Sequence, residues 1–231
     1  MNFPMARIRH YDKDAKESMS WYVMDYIPGC SVAKLLEETP TFLKAGGLPP
    51  VLVFHIFTEV IKAQKALRDL ELYHGDLWAG GNVMLSPSKS GERLPVVKLI
   101  DADGISPWHE RKATEHAKGV VVQCAIGTGN NKVPERWRRG PFTASDLGMA
   151  DDFYLAMHVK GYVTLDSLSD TWSGRLERLK NSMWDDEAWE EVGERLSKVV
   201  VTEEGLRKSV HEGGLTLSER QEDKWTGFGM E

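Results

Sequence analysis

Apolar side chains recur at three- and four-residue steps through Val53, Ile56, Phe57, Val60, Ala63, Leu67 and Leu70. That period marks one face of an α-helix about 18 residues long. Pro50 sits where a missing N–H and a fixed φ suit the first helical turn. Upstream, residues 20–26 are rich in aromatic and β-branched side chains and predict a strand, stopped at Ile27-Pro28-Gly29. Residues 32–38 predict a short helix with Ser31 as its N-cap. Residues 39–50, with Gly46-Gly47 and Pro49-Pro50, predict a loop. Two more short strands, 83–85 and 96–100, flank a polar turn at 86–95. The stretch 103–132 has little periodicity and many small or polar residues, so it predicts a long surface loop or a partly disordered, functional segment. An apolar, helix-like pattern returns at 153–163. Residues 165–201 predict charged helix, with Trp172, Trp184 and Trp189 as core anchors. Beyond Gly213 the tail is polar and frayed. No internal repeat or low-complexity tract interrupts the chain.

Composition narrows the classes. A chain of 231 residues with 41% hydrophobic and 28% charged residues is ordinary for a globular protein able to bury a substantial core. Its net charge of -6 provides no basic footprint, which argues against nucleic acid as the main partner. Cys30 and Cys124 do not make a disulfide framework and read as structural thiols of a cytoplasmic or nuclear protein, with a single bridge between them as the alternative. The first 13 residues lack the apolar core of a signal peptide. The longest uncharged apolar candidate, 51–57, is far too short to span a bilayer, so no membrane association is expected.

The chemistry gathers in His74-Gly75-Asp76-Leu77-Trp78-Ala79-Gly80-Gly81-Asn82 and in the apolar run that ends at Asp101. Both lie at the ends of short strand-like segments, which puts two carboxylates and an amide within reach of one another. Transfer of a phosphoryl group from a nucleotide needs a residue to orient the acceptor and ligands to hold metal on the phosphates. Magnesium takes oxygen donors, which carboxylates and amides supply. Asp76 is therefore the candidate to orient the acceptor hydroxyl and take its proton. Asn82 and Asp101 are the candidate Mg2+ ligands, with Asp103 in reserve, and His74 supports the loop by hydrogen bonding. The cluster Arg136, Arg138 and Arg139 beside Trp137 reads as solvated surface charge, and His55 as a core residue.

These residues, in this order, resemble the catalytic and metal-binding loops of the protein-kinase superfamily. The similarity extends over roughly 21–208. Val23-Met24-Asp25-Tyr26-Ile27 resembles the hinge strand whose backbone binds adenine, which would make Asp25, Tyr26 and Ile27 the ATP-binding segment. Gly127-Thr128 followed by Val133-Pro134-Glu135 resembles the end of an activation segment. The resemblance then implies that Thr128 bonds the catalytic aspartate, that Pro134 and Glu135 are structural, and that Glu135 pairs with a later arginine, Arg207. It also implies a buried aspartate opening the next core helix, either Asp152 or Asp146. Three departures accompany the match. Gly75 stands where arginine is common, as in small-molecule kinases. Asn82 lies six residues after Asp76 rather than five, an excess that Gly80-Gly81 could absorb as a bulge. Asp101-Ala102-Asp103-Gly104 carries an extra residue before its glycine.

The fold expected is α+β: a protein-kinase-like, mainly helical C-lobe with a short β-hairpin carrying the site and a truncated N-lobe. About 20 residues precede the hinge, and they contain no glycine; five strands with their turns need more chain than that. Lys13 and Lys16 lie in a polar stretch without strand character. The expected division is 1–27 as hinge and N-lobe remnant, 28–212 as C-lobe and 213–231 as tail. The function implied is ATP- and Mg2+-dependent phosphoryl transfer to protein serine or threonine, weak in this chain alone. The alternatives are an inactive pseudokinase that binds or scaffolds a protein partner, and a small-molecule kinase of the aminoglycoside or choline type.

Overall fold

The computed structural model describes residues 5–6, 8–11, 22–39, 42, 46–77, 80–88, 94–125, 132–140, 142–159, 161, 163–184 and 186–199. All lie in one compact unit, Met1–Val200; a second unit, Val201–Glu231, falls outside the described residues. The short helix α1 (Val32–Glu37) starts where expected, with the Ser31 hydroxyl accepting the Lys34 N–H at 3.1 Å. Helix α2 (Pro50–Arg68) has Pro50 in its first turn and is buried around most of its circumference. A helix covered on nearly every side is the centre of a fold rather than its surface. Leu70, the last member of the predicted stripe, falls past the helix and is exposed.

Helices α3 (Glu110–Cys124), α4 (Glu135–Arg138), α5 (Ala144–His158), α6 (Leu165–Ser182) and α7 (Asp186–Val199) complete the helical part. Phe54 and Phe57 of α2 meet Phe153 of α5 edge-on, with ring centroids 5.3 and 5.1 Å apart, and Trp172 of α6 closes on the same ring at 5.2 Å. Edge-to-face contacts at these distances add to the area that the rings bury. Trp184 and Trp189, 5.0 Å apart, are half-buried at the rim. Cys30 and Cys124 are separate free thiols, both buried. Burial pushes their pKa values up to about 11 and about 12, so neither is a ready nucleophile.

Among the described residues the strands form three small antiparallel sheets, and the fold class is α+β. Strands β1 (Ile8–Tyr11) and β2 (Tyr22–Met24) pair with each other. The short β3 (Cys30–Ser31) adds to β5 (Val83–Ser86), which forms a hairpin with β6 (Val96–Leu99). Strand β4 (Leu72–His74) pairs with β7 (Ile105–Pro107). Burial alternates along the hairpin: Val83, Leu85, Val97 and Leu99 enter the core, while Met84 and Lys98 do not. That is the period-two pattern of a sheet with one face on the core. On the outer edge of β6, Met5 bridges Leu99, whose carbonyl accepts the Ala6 N–H at 3.0 Å.

Three expectations are corrected. Residues 110–124 are helix rather than loop: the apolar stripe of α3 is carried by small side chains, Ala113, Ala117, Val120, Val121 and Cys124, all buried. Small residues let α3 pack closely on α2 and α5, but they carry a weak hydropathy signal. The helix expected at 153–163 begins instead at Ala144, where the Thr143 hydroxyl accepts the Asp146 N–H at 3.1 Å, and ends at His158. The helical stretch after 165 is broken into two helices between Ser182 and Asp186.

Truncating the residue on which α2, α5 and α6 converge tests this core. Phe153→Ala is expected to lower the unfolding free energy by about 3–5 kcal/mol, measured by urea denaturation. A loss under about 1 kcal/mol would show that the three helices do not share that ring.

Candidate functional site

After α2 the chain reverses through Glu71, which takes a left-handed φ of 60° and leads into β4. The register of β4 is set by one side chain. The Gln64 amide, fully buried on α2, donates to the His74 carbonyl and accepts the His74 N–H, both at 2.9 Å. The His74 ring is also fully buried. Its Nδ1 accepts the Asp76 N–H at 3.3 Å, so Nε2 carries the proton and donates to the Ile100 carbonyl at 2.7 Å. Both ring nitrogens are thus committed, one to each loop of the site. Burial holds the imidazole pKa below its ordinary value of 6.5, against the opposing pull of the Ile100 carbonyl and of the Asp101 and Asp76 carboxylates.

Gly104 seals the arrangement. Its carbonyl accepts the Gly75 N–H at 2.7 Å, and a Cβ at Gly104 would stand 2.8 Å from Cε1 of His74. Only glycine allows that approach.

Asp76, Asn82 and Asp101 meet on this base. The Asn82 Nδ2 donates to the Asp76 carbonyl at 2.8 Å, to Asp76 Oδ2 at 3.0 Å and lies 3.4 Å from Asp101 Oδ2. One amide therefore holds two carboxylates from segments 25 residues apart. Between Asp76 and Asn82, Gly80 takes a φ of 57° and its carbonyl accepts the Ala33 N–H. Asp101 also sits at a left-handed φ of 70°, its Oδ1 accepting the Asp103 N–H at 3.2 Å. Asp103 itself is exposed in the following turn.

The other predicted residues distribute as follows. Asp25, Tyr26 and Ile27 lie between β2 and β3 in the chain. At Gly29 the backbone is pressed against β5, where a Cβ would lie 2.0 Å from the Leu85 carbonyl oxygen. Pro134 is buried and caps α4, and Glu135 is exposed in its first turn. Thr128 and Arg207 lie outside the described residues.

The buried-aspartate expectation is corrected. Asp152 is exposed, and Asp146 binds the Thr143 hydroxyl at the start of α5. Their neighbour Asp151 makes the structural contacts: its Oδ1 accepts the Val133 N–H at 2.8 Å and its Oδ2 pairs with Arg138. Successive helical residues point about 100° apart, which places Asp151 toward the 133–138 segment and turns Asp152 to solvent. Arg136 pairs with Glu191 and lies over Trp137, so two members of the basic cluster are spent on the fold rather than on solvent alone.

Sequence reading missed Gln64 and His116. Gln64 carries a usable signal, a lone amide on an apolar helical face; His116, on the unrecognised α3, carried none. The His116 ring packs on Tyr73 with centroids 6.2 Å apart, and its buried Nδ1 has no hydrogen-bond partner.

Among the described residues no group of three or more histidine, cysteine or acidic side chains forms a metal cage. The oxygens available are those of the Asp76 and Asp101 carboxylates and the Asn82 Oδ1, the Asn82 Nδ2 being turned to both carboxylates; oxygens of these kinds fit a hard cation that keeps waters and anionic ligands of its own. No protein-family model matches the chain, and no match is found among curated proteins.

Two measurements check the site's construction. Gln64→Met leaves the buried His74 N–H and carbonyl unpaired and is expected to cost about 1–3 kcal/mol for each, read by denaturant unfolding; an unchanged midpoint would mean the clamp contributes nothing. Burial also depresses the pKa of His55 and His116. The unfolded chain then binds protons that the native state excludes. Stability stands in full above about pH 6.5 and falls as the pH is lowered from there. A urea midpoint equal at pH 7 and pH 5.5 would contradict this.

Proposed function

We propose that this chain is a protein-kinase-like phosphotransferase that uses ATP and Mg2+. The observation that carries the reading is the Asn82 amide set between Asp76 and Asp101. Two carboxylates converging on one amide leave an excess of negative charge at the loop ends, a place suited to a divalent cation. Asp101 through its carboxylate and Asn82 through its Oδ1 would hold the Mg2+, which supplies the positive charge that phosphoryl transfer requires on the nucleotide phosphates.

In this reading Asp76 orients the acceptor hydroxyl and takes its proton at a carboxylate oxygen. His74 touches neither substrate nor metal. It is a positioning residue that ties the loop of Asp76 to the loop of Asp101. The backbone of Asp25, Tyr26 and Ile27 supplies the edge for the adenine base, reached through the backbone approach at Gly29. Thr128, which the resemblance sets beside Asp76, keeps its proposed role as a partner of that carboxylate.

Two acceptors are in play. A protein serine or threonine is the first, on the Gly-Thr…Pro-Glu order of 127–135. A small-molecule alcohol is the second, and one observation favours it. Residues 110–124, which would belong to an open peptide-binding segment, form a helix packed on α2.

Calorimetry with the non-hydrolysable analogue AMPPNP, with and without magnesium, tests the reading. Binding that depends on magnesium, weakened at least about tenfold in Asp101→Asn, is the expected result. Asp76→Asn should bind the analogue as wild type does while transfer of label from ATP falls about a hundredfold or more. Label appearing on protein or on free alcohols separates the two acceptors. No magnesium-dependent binding by the wild type would sink the reading and leave a protein-binding module.

A further inference from the structure

We infer that Lys98 is the cation that binds the nucleotide phosphates on this platform, an assignment that rests on the phosphotransferase reading. A nucleotide triphosphate brings several negative charges to a site whose own carboxylates, Asp76 and Asp101, are negative already. A metal held by Asn82 and Asp101 offsets part of that charge, and the rest calls for a cationic side chain.

The position of Lys98 follows from strand register. Lys98 pairs with Met84, and Met84 with Ser31, so the three residues form one row across β6, β5 and β3. Paired residues in an antiparallel ladder project to the same face. The neighbouring rows, Val83 with Leu99 and Leu85 with Val97, are buried in the core. Met84 and Lys98 are half-buried and therefore stand on the opposite, open face. At the end of that face the chain runs into Asn82, just before β5, and Asp101, just after β6. Lys98 precedes Asp101 by three residues, so their Cα atoms are at most about 10 Å apart.

Location singles Lys98 out from the other cations. Among the described residues between Leu72 and His109 it is the one lysine or arginine. His74 has both ring nitrogens committed to the Ile100 carbonyl and the Asp76 N–H, so it is not available to the phosphates. The strand that delivers the metal-ligating Asp101 thus delivers the positive charge as well.

Calorimetry on the full chain with three probes tests this: Mg-AMPPNP, Mg-ADP and adenosine. Lys98→Gln is expected to weaken Mg-AMPPNP by about tenfold or more, to weaken Mg-ADP less or equally, and to leave adenosine affinity unchanged. Lys98→Arg, which keeps the charge, should retain most of the Mg-AMPPNP affinity. Lys98→Met is the second neutral variant should Lys98→Gln fail to fold. If a neutral variant binds Mg-AMPPNP as wild type does, the assignment of Lys98 is overturned while the phosphotransferase reading stands. Equal losses for AMPPNP and adenosine would mark Lys98 as a structural residue and overturn the assignment too. A wild type that binds adenosine but gains nothing from the phosphates overturns it likewise. A wild type that binds none of the probes overturns both.

Discussion

Helix α2 is covered by other elements around most of its circumference, and that burial leaves its buried amide, Gln64, a single way to be satisfied. An amide shut away from water costs several kcal/mol unless its donors and acceptor are bonded. Gln64 meets this demand with the N–H and the carbonyl of one residue, His74. The pair of bonds sets the register of β4 against the central helix. From there the His74 ring reaches Ile100 on one side and the Asp76 N–H on the other. The two loops that bear the carboxylates are therefore positioned from the core outward, through a chain of bonds that begins in the most buried helix.

Two left-handed residues complete the convergence. Gly80 turns the chain before Asn82, and Asp101 turns it at the end of β6. A left-handed conformation at a residue with a Cβ costs energy, and aspartate tolerates it better than most because its short side chain bonds locally. Here Oδ1 of Asp101 accepts the Asp103 N–H while Oδ2 faces Asn82. Local backbone bonding and the shared site thus use different oxygens of the same carboxylate.

Helix α3 changes the surroundings of the site. It brings His116 against Tyr73, and its close packing on α2 depends on the small side chains of Ala113 and Ala117. The Gln123 side chain stands near Gly80, where a Cβ would come within 3.1 Å of its Oε1. The Asp76–Asn82 loop is thereby held between α1, whose Ala33 N–H bonds Gly80, and α3.

The sequence by itself determined the elements whose signal is local. Helix α2 was legible from apolar residues at helical spacing, α1 from its serine cap, and the hairpin from two short apolar runs around a polar turn. Asp76, Asn82 and Asp101 were legible as polar side chains at the ends of short strand-like segments. Tertiary structure alone decided the rest. Whether Asp151 or Asp152 faces the 133–138 segment is a matter of helix phase about an axis fixed only by packing. The helical state of 110–124 depends on a partner surface that accepts alanines and a cysteine, a contact that hydropathy does not register. The meeting of Asp76 with Asp101 is decided by a buried histidine and a buried glutamine. Such bonds form because desolvation forbids leaving polar groups unpaired, and which groups are desolvated together is known only once the chain is folded.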